Sequence, residues 1–142
     1  MEGNEIYAVI DTNVLVSALL PSQKISNPTR VLREVFRGRI TLVYNEEILS
    51  EYIEVLSRDK FHIRKTSIDA VINHIKREGI KLERTTTFEG VFPDPKDVVF
   101  YEVAMSKEDA YLVTGNIKHF PKKPIVVTPA EMLEILQCEG IL

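Results

Sequence analysis

Three acidic residues stand at positions suited to chemistry. They are Asp11 in I-D-T-N-V-L-V-S-A, Glu51 in E-E-I-L-S-E-Y-I-E-V-L-S-R, and Asp97 in P-D-P-K-D-V-V-F-Y-E-V-A. Each falls where an expected strand or turn hands over to a helix, or inside the helix that follows. In a repeating strand–helix chain such positions gather at one edge of a parallel sheet, where open α/β sheets bind their ligands. Carboxylates brought together there repel one another unless a cation neutralises them. A hard divalent ion with oxygen ligands is the natural occupant. The residue types therefore point to metal-assisted chemistry on phosphates.

The elements that must position these acids follow from local pattern. Residues 6–10, I-Y-A-V-I, form an apolar run of the kind found in a central parallel strand buried on both faces. Asp11 ends it, and a short helical segment runs on to Pro21. Residues 22–28 are polar and read as a loop. A helix is expected over about 28–37, with Val31, Leu32, Val35 and Phe36 on one side and Arg30, Arg33 and Arg37 on the other. Gly38 is placed to end it in a left-handed turn. A strand at 40–44 leads to Asn45, a capping residue, with Glu46 and Glu47 in the first turn of the next helix. Ile48, Leu49, Tyr52, Ile53, Val55 and Leu56 are expected on its apolar face, with Glu51 at the border. A helix at about 67–77 ends near Gly79, and 80–82 is a short strand. A turn at 92–95 opens a helix near Lys96 or Asp97, and strands are expected at 110–114 and 125–127. Thr128, Pro129 and Glu131 spell a capping box for a last helix. The alternation predicts one three-layer α/β/α domain over residues 1–142 with a central parallel sheet.

Composition narrows the class. The 142 residues are 44% hydrophobic and 27% charged, which suits a folded domain and not a disordered one. Eighteen basic and 21 acidic side chains give a net charge of −3, unlike a protein that coats nucleic acid. A local basic strip can still guide phosphates, and Lys118, His119, Lys122 and Lys123 form one candidate. The single cysteine, Cys138, cannot close an internal disulfide, in keeping with a reducing compartment. No apolar run approaches the roughly 20 residues that span a bilayer, so no membrane role is expected. The start M-E-G-N-E-I is unlike a secretory signal, which points to a cytoplasmic location. His62, His74 and His119 lack partners at zinc-ligand spacing, and there is no phosphate-binding G-x-x-x-x-G-K-[ST] loop.

Five blocks in order, D-T-N-V-L-V-S-A-L, E-E-I-L-S-E-Y-I-E-V-L-S-R, D-P-K-D-V-V-F, Y-L-V-T-G-N and T-P-A-E-M-L, give the chain its resemblance to the PIN-domain (PilT N-terminus-like) family. More narrowly it resembles the single-domain branch described as toxin components of toxin–antitoxin systems. That likeness implies an endoribonuclease that uses Mg²⁺ or Mn²⁺. It implies Asp11, Glu51 and Asp97 as catalytic and metal-holding acids, an RNA substrate, an antitoxin protein partner and a homodimer. Asn13 matches a frequent asparagine of the motif; it either fixes a neighbouring carboxylate or serves as a turn or cap. Asp94 is either an outer group of the site or an Asx-type cap before Pro95. Thr114 either positions a water or carboxylate or ends a strand. Lys118, Lys122 and Lys123 are the residues expected to bind RNA. The chain departs from the pattern after its T-G pair, where many members have aspartate and this one has Asn116, followed by Lys118. An asparagine oxygen can still face a metal, but the lost negative charge and added positive one should lower metal affinity. The competing reading is a catalytically weakened PIN-like module that binds RNA or protein. A dehalogenase-type phosphatase would need aspartate where Asn13 stands.

Overall fold

Strands alternate with helices as the apolar pattern requires. The computed structural model describes residues 5–21, 24–85 and 87–141. In chain order they form β1 (Ile6–Ile10), α1 (Thr12–Leu19), α2 (Asn27–Phe36), β2 (Ile40–Tyr44), α3 (Glu46–Leu56), α4 (Lys65–Glu78), β3 (Ile80–Lys81), α5 (Val98–Met105), β4 (Ala110–Val113), β5 (Val126–Val127) and α6 (Pro129–Cys138). A 3₁₀ turn over Pro95–Asp97 precedes α5. Of the loop expected at 22–28, Ser22 and Gln23 lie outside the described residues. The helix after it begins earlier than expected because the Ser26 side chain caps it, accepting from the Thr29 N–H.

The sheet is parallel throughout, in the order β3-β2-β1-β4-β5. The chain builds outward from β1 to β3, then returns to the far side of β1 to lay down β4 and β5. The direction of winding reverses between β1 and β4, and a crevice opens there beyond the carboxyl ends of the two strands. Helices cover the sheet in the expected three-layer α/β/α arrangement. α5 lies across β1, β2 and β4; α2 packs on α1 and α6; α3 packs on α1, α4 and α5. Ala8, Val9, Ile10, Leu112, Val113 and Phe100 are fully buried, which explains the unbroken apolar runs of β1 and β4. Each large side chain of this kind contributes about 1.5–3 kcal/mol when buried.

Local signals end the elements where they were expected. Gly38 adopts φ +81°, the left-handed conformation that stops α2. Gly79 follows α4 for a different reason: a Cβ there would come within 2.6 Å of the Ile75 carbonyl oxygen and 3.0 Å of that of Leu42. The Asn45 Oδ1 accepts from the Ile48 N–H at 2.9 Å, and the Thr128–Glu131 capping box closes in both directions. One expected placement changes: Ile53 is 40% exposed, off the apolar face of α3. Cys138 is exposed at the end of α6. Arg30, Arg33 and Arg37 do lie on the exposed side of α2, but Arg37 is tied to the buried Glu34, which Arg39 also binds. Among the described residues no helix is long and apolar enough to cross a membrane.

Candidate active site

Strand register delivers the first acid. Ile10 pairs with Val113, and the Asp11 N–H extends the ladder to the Val113 carbonyl at 2.9 Å. Asp11 therefore lies next to Thr114 at the reversal point. Both are buried, at 5% and 0% exposure. The Thr114 hydroxyl donates to Asp11 Oδ2 at 2.8 Å and accepts from the Asn116 N–H at 3.0 Å. With its acceptor role taken by that amide, the hydroxyl proton is directed at the carboxylate. Asp11 occupies the cap position of α1, where the first amides of the helix lie near its carboxylate without completing a well-formed capping hydrogen bond. Burial pushes its carboxyl above the usual range, and the Thr114 hydroxyl, the Asn13 and Thr12 amides and His119 partly hold it back.

The second acid arrives on α3. Asn45 starts that helix at the end of β2, and Glu51 follows more than a turn later, facing α1. The buried Thr12 donates its hydroxyl to Glu51 Oε2 at 2.5 Å. Beside it the buried Tyr52 hydroxyl donates to the Ile10 carbonyl, pinning α3 to the last residue of β1. Burial, reinforced by Asp11 and Glu51, pushes the Tyr52 phenol well up, so it remains a neutral donor. The third acid, Asp97, closes the 3₁₀ turn before α5. Its carboxyl is pushed up to about 6, first by burial and then by the charges of Asp11, Asp94 and Glu51; His119 works in the opposite direction, its Nδ1 3.8 Å from Asp97 Oδ2.

These groups open into one cleft of about 260 Å³, lined by Asp11, Thr12, Asn13, Glu51, Asp94 and Asp97. Arg58, Lys60, Phe61 and Lys96 form other parts of its wall. Asp94 is the Asx-type cap of its turn, accepting from the Lys96 N–H at 3.0 Å. The Asn13 side chain is exposed at the cleft and makes no hydrogen bond among the described residues, so it neither caps nor fixes a carboxylate. Asn116 and Lys118 line a neighbouring depression with His119 and Thr128. The contact of Asn116 with the acids runs through its backbone amide and Thr114. Lys122 and Lys123 are exposed on the segment leading to β5 and do not line the cleft.

Among the described residues no three Asp, Glu, His or Cys side chains stand close enough to enclose an ion by themselves. The donors facing the cleft are nonetheless hard carboxylate oxygens, and the upward shift of Asp97 comes first from burial and then from the charges of Asp11, Asp94 and Glu51, which a cation would offset. Mg²⁺ commonly keeps several waters and takes only one or two protein carboxylates. The donor set fits a hydrated ion of that kind and not a dry protein cage.

Sequence reasoning missed Thr12, Tyr52 and the approach of His119 to Asp97. Thr12 carries a faint signal, a hydroxyl directly after the strand-ending aspartate. A family model described as PIN domain matches residues 7–118, a span that includes Asp11, Glu51, Asp97, Thr114 and Asn116. No curated protein and no solved structure matches the chain.

Proposed function

The chain belongs to the PIN domain family, a membership that generally implies nuclease activity, often on RNA, and from that premise we propose that it is a metal-dependent endoribonuclease hydrolysing RNA phosphodiester bonds. The observation that carries this reading is the buried Asp11 carboxylate, held by Thr114 at the winding reversal, in one cleft with Glu51 and Asp97. Asp11, Glu51 and Asp97 are the catalytic acids, and they hold Mg²⁺ or Mn²⁺ directly or through water. When bound, such an ion supplies an activated water and offsets negative charge on the phosphate.

The chain's own residues do the rest. Thr114 and Thr12 orient the carboxyl groups of Asp11 and Glu51 without neutralising them. Lys60 and Lys96 on the wall, with Lys118, Lys122 and Lys123 beyond it, draw the RNA backbone toward an otherwise acidic cleft. No side chain is placed as an evident general acid, so solvent protonates the leaving oxygen.

In keeping with its resemblance to the toxin branch of the family, the chain acts as the toxin of a type II toxin–antitoxin pair. It works in the cytoplasm, as a homodimer, and is silenced by an antitoxin segment that covers the acid cleft. A second reading, a weakened module that binds RNA or protein, is favoured by one feature: the exposed Asn116 and Lys118 supply no fourth acid. Purified protein assayed with Mn²⁺ on single-stranded and structured RNA decides between them. The nuclease reading expects cleavage by the wild type and none by Asp11→Asn with an unchanged fold. Cleavage retained in Asp11→Asn refutes the site assignment; a silent wild type with activity gained in Asn116→Asp establishes the second reading.

A further inference from the structure

Glu102 is a buried carboxylate that the chemistry above does not use. It lies on α5, its side chain 7% exposed, facing the segment that runs from β3 back toward the site. Glu102 Oε1 accepts from Arg84 Nη1 at 2.8 Å, and Oε2 accepts from the Phe88 N–H at 2.6 Å. The other arm of Arg84 reaches away from α5: Nη2 donates to Glu47 Oε1 at 2.8 Å. Glu47 is one helical turn before Glu51 on α3. One guanidinium thus joins the helix that carries Glu51 to the helix that Asp97 introduces. A planar fork with donors on two sides can hold two carboxylates in fixed relation, which a lysine cannot.

We propose that Arg84, held by Glu102, is a positioning residue that sets the separation of α3 and α5 and thereby the distance between Glu51 and Asp97. The proposal rests on the metal-dependent reading of the acid cleft. Apart from this bridge, the hydrogen bonds identified at the cleft involve β1, the end of β4 and α1: Thr114 holds Asp11, Thr12 holds Glu51, and Tyr52 ties α3 to the end of β1. None of them fixes α5 relative to α3. Arg84 also lines a depression of about 420 Å³ between the two helices with Glu47, Glu51, Lys96 and Val99. The two helices meet through the buried Tyr52 and Phe100, ring centroids 6.3 Å apart, and Arg84 bridges them at the open depression.

The sign of one effect separates this role from a through-space one. Arg84 is a positive charge near an acidic metal site, so its removal by field alone tightens cation binding. Loss of a strut loosens it. In Arg84→Met we expect the Mn²⁺ dissociation constant, read by the electron paramagnetic resonance of free Mn²⁺, to rise about tenfold, the low end of the loss seen when support around metal ligands is removed. Arg84→Lys should restore thermal stability through Glu102 but not Mn²⁺ affinity. Glu47→Gln, at an exposed position that leaves the Arg84–Glu102 contact intact, should give most of the same loss, and the double variant Glu47→Gln/Arg84→Met little more. In metal-free protein, amide resonances at residues 50–52 and 96–98 should move in each of these variants.

Unchanged or tighter Mn²⁺ binding in Arg84→Met overturns the proposal, as does full recovery of affinity in Arg84→Lys. Static amide resonances overturn it even if the wild type binds no metal. A wild type that neither binds Mn²⁺ nor cleaves RNA, while those resonances do move, sinks the nuclease reading and leaves the strut standing as a geometric fact.

Discussion

Asp97→Asn should stabilise the metal-free protein at neutral pH, and the structure gives the size and the pH window. The Asp97 carboxyl is pushed from its ordinary 3.8 to about 6 by burial, Asp11, Asp94 and Glu51. A folded-state value above the unfolded one means that the native protein binds the proton more tightly. Stability must then fall as pH rises from about 4 to about 6, and the full penalty persists above that. A shift of this size corresponds to about 3 kcal/mol at face value. The carboxyl keeps contact with solvent, and screening brings the usable figure nearer 1–2 kcal/mol. Asparagine has the same shape and no charge, so it removes the penalty. For a domain of this length, melting should rise by roughly 3–6 °C at pH 7.5. The gain should vanish near pH 4, where the wild-type carboxyl is protonated as well. Differential scanning calorimetry of both proteins in chelator-treated buffers between pH 4 and 8 reads the difference directly. An Asp97→Asn melting temperature at or below wild type at pH 7.5, or a difference that grows as pH falls, refutes the picture of mutually repelling acids.

Other perturbations test other links. Thr12→Val removes the hydroxyl that orients Glu51; a loss of about 1 kcal/mol in urea unfolding is expected, with a larger relative fall in kcat for RNA cleavage than change in KM. Phe100→Ala empties a fully buried site on α5 and should cost about 3–5 kcal/mol in the same unfolding assay. Adding Mg²⁺ at about 100 times its dissociation constant should stabilise the wild type by about 2.7 kcal/mol, and Asp11→Asn should show little of that gain in a thermal shift series. Asn116→Asp should gain Mn²⁺ affinity, measured by titration calorimetry, only if the new carboxyl turns from its neighbouring depression into the acid cleft; an unchanged affinity means that it stays outside.

What the sequence made legible was local. The apolar run of β1, the caps Asn45 and Thr128, the stop at Gly38 and the Asx turn at Asp94 are each set by a few adjacent residues, and each forms as the pattern requires. The place of Asp11 at the end of β1 was legible because a charged residue closes an unbroken apolar run there. The contacts that organise the cleft were not legible, since they join residues far apart: Thr12 to Glu51 across 39 positions, Tyr52 to Ile10 across 42, Arg84 to Glu47 across 37. Those pairings depend on strand order, and a periodicity of apolar residues is the same for any order. The cations of the cleft wall were not legible either: Arg58, Lys60 and Lys96 are brought there by the turn after α3 and the turn before α5, while Lys118 lines the neighbouring depression.

The choice of supporting groups around the acids follows from what the cleft must keep. A lysine or arginine bound to Asp11 or Glu51 would hold either one as well as a hydroxyl does. It would also supply the positive charge that the proposed metal ion would bring, and the ion would have to compete with it. Threonine orients a carboxylate through a neutral hydrogen bond and leaves its charge in place. Both Asp11 and Glu51 are held this way, by Thr114 and Thr12. The arginines nearby are occupied by other acids: Arg58 by Glu54, Arg84 by Glu47 and Glu102. Burial without neutralisation is what drives the Asp97 carboxyl up to about 6. On the proposed metal-dependent reading, the same arrangement that destabilises the empty fold at neutral pH would preserve affinity for a cation, and a substitution that relieves the first should weaken the second.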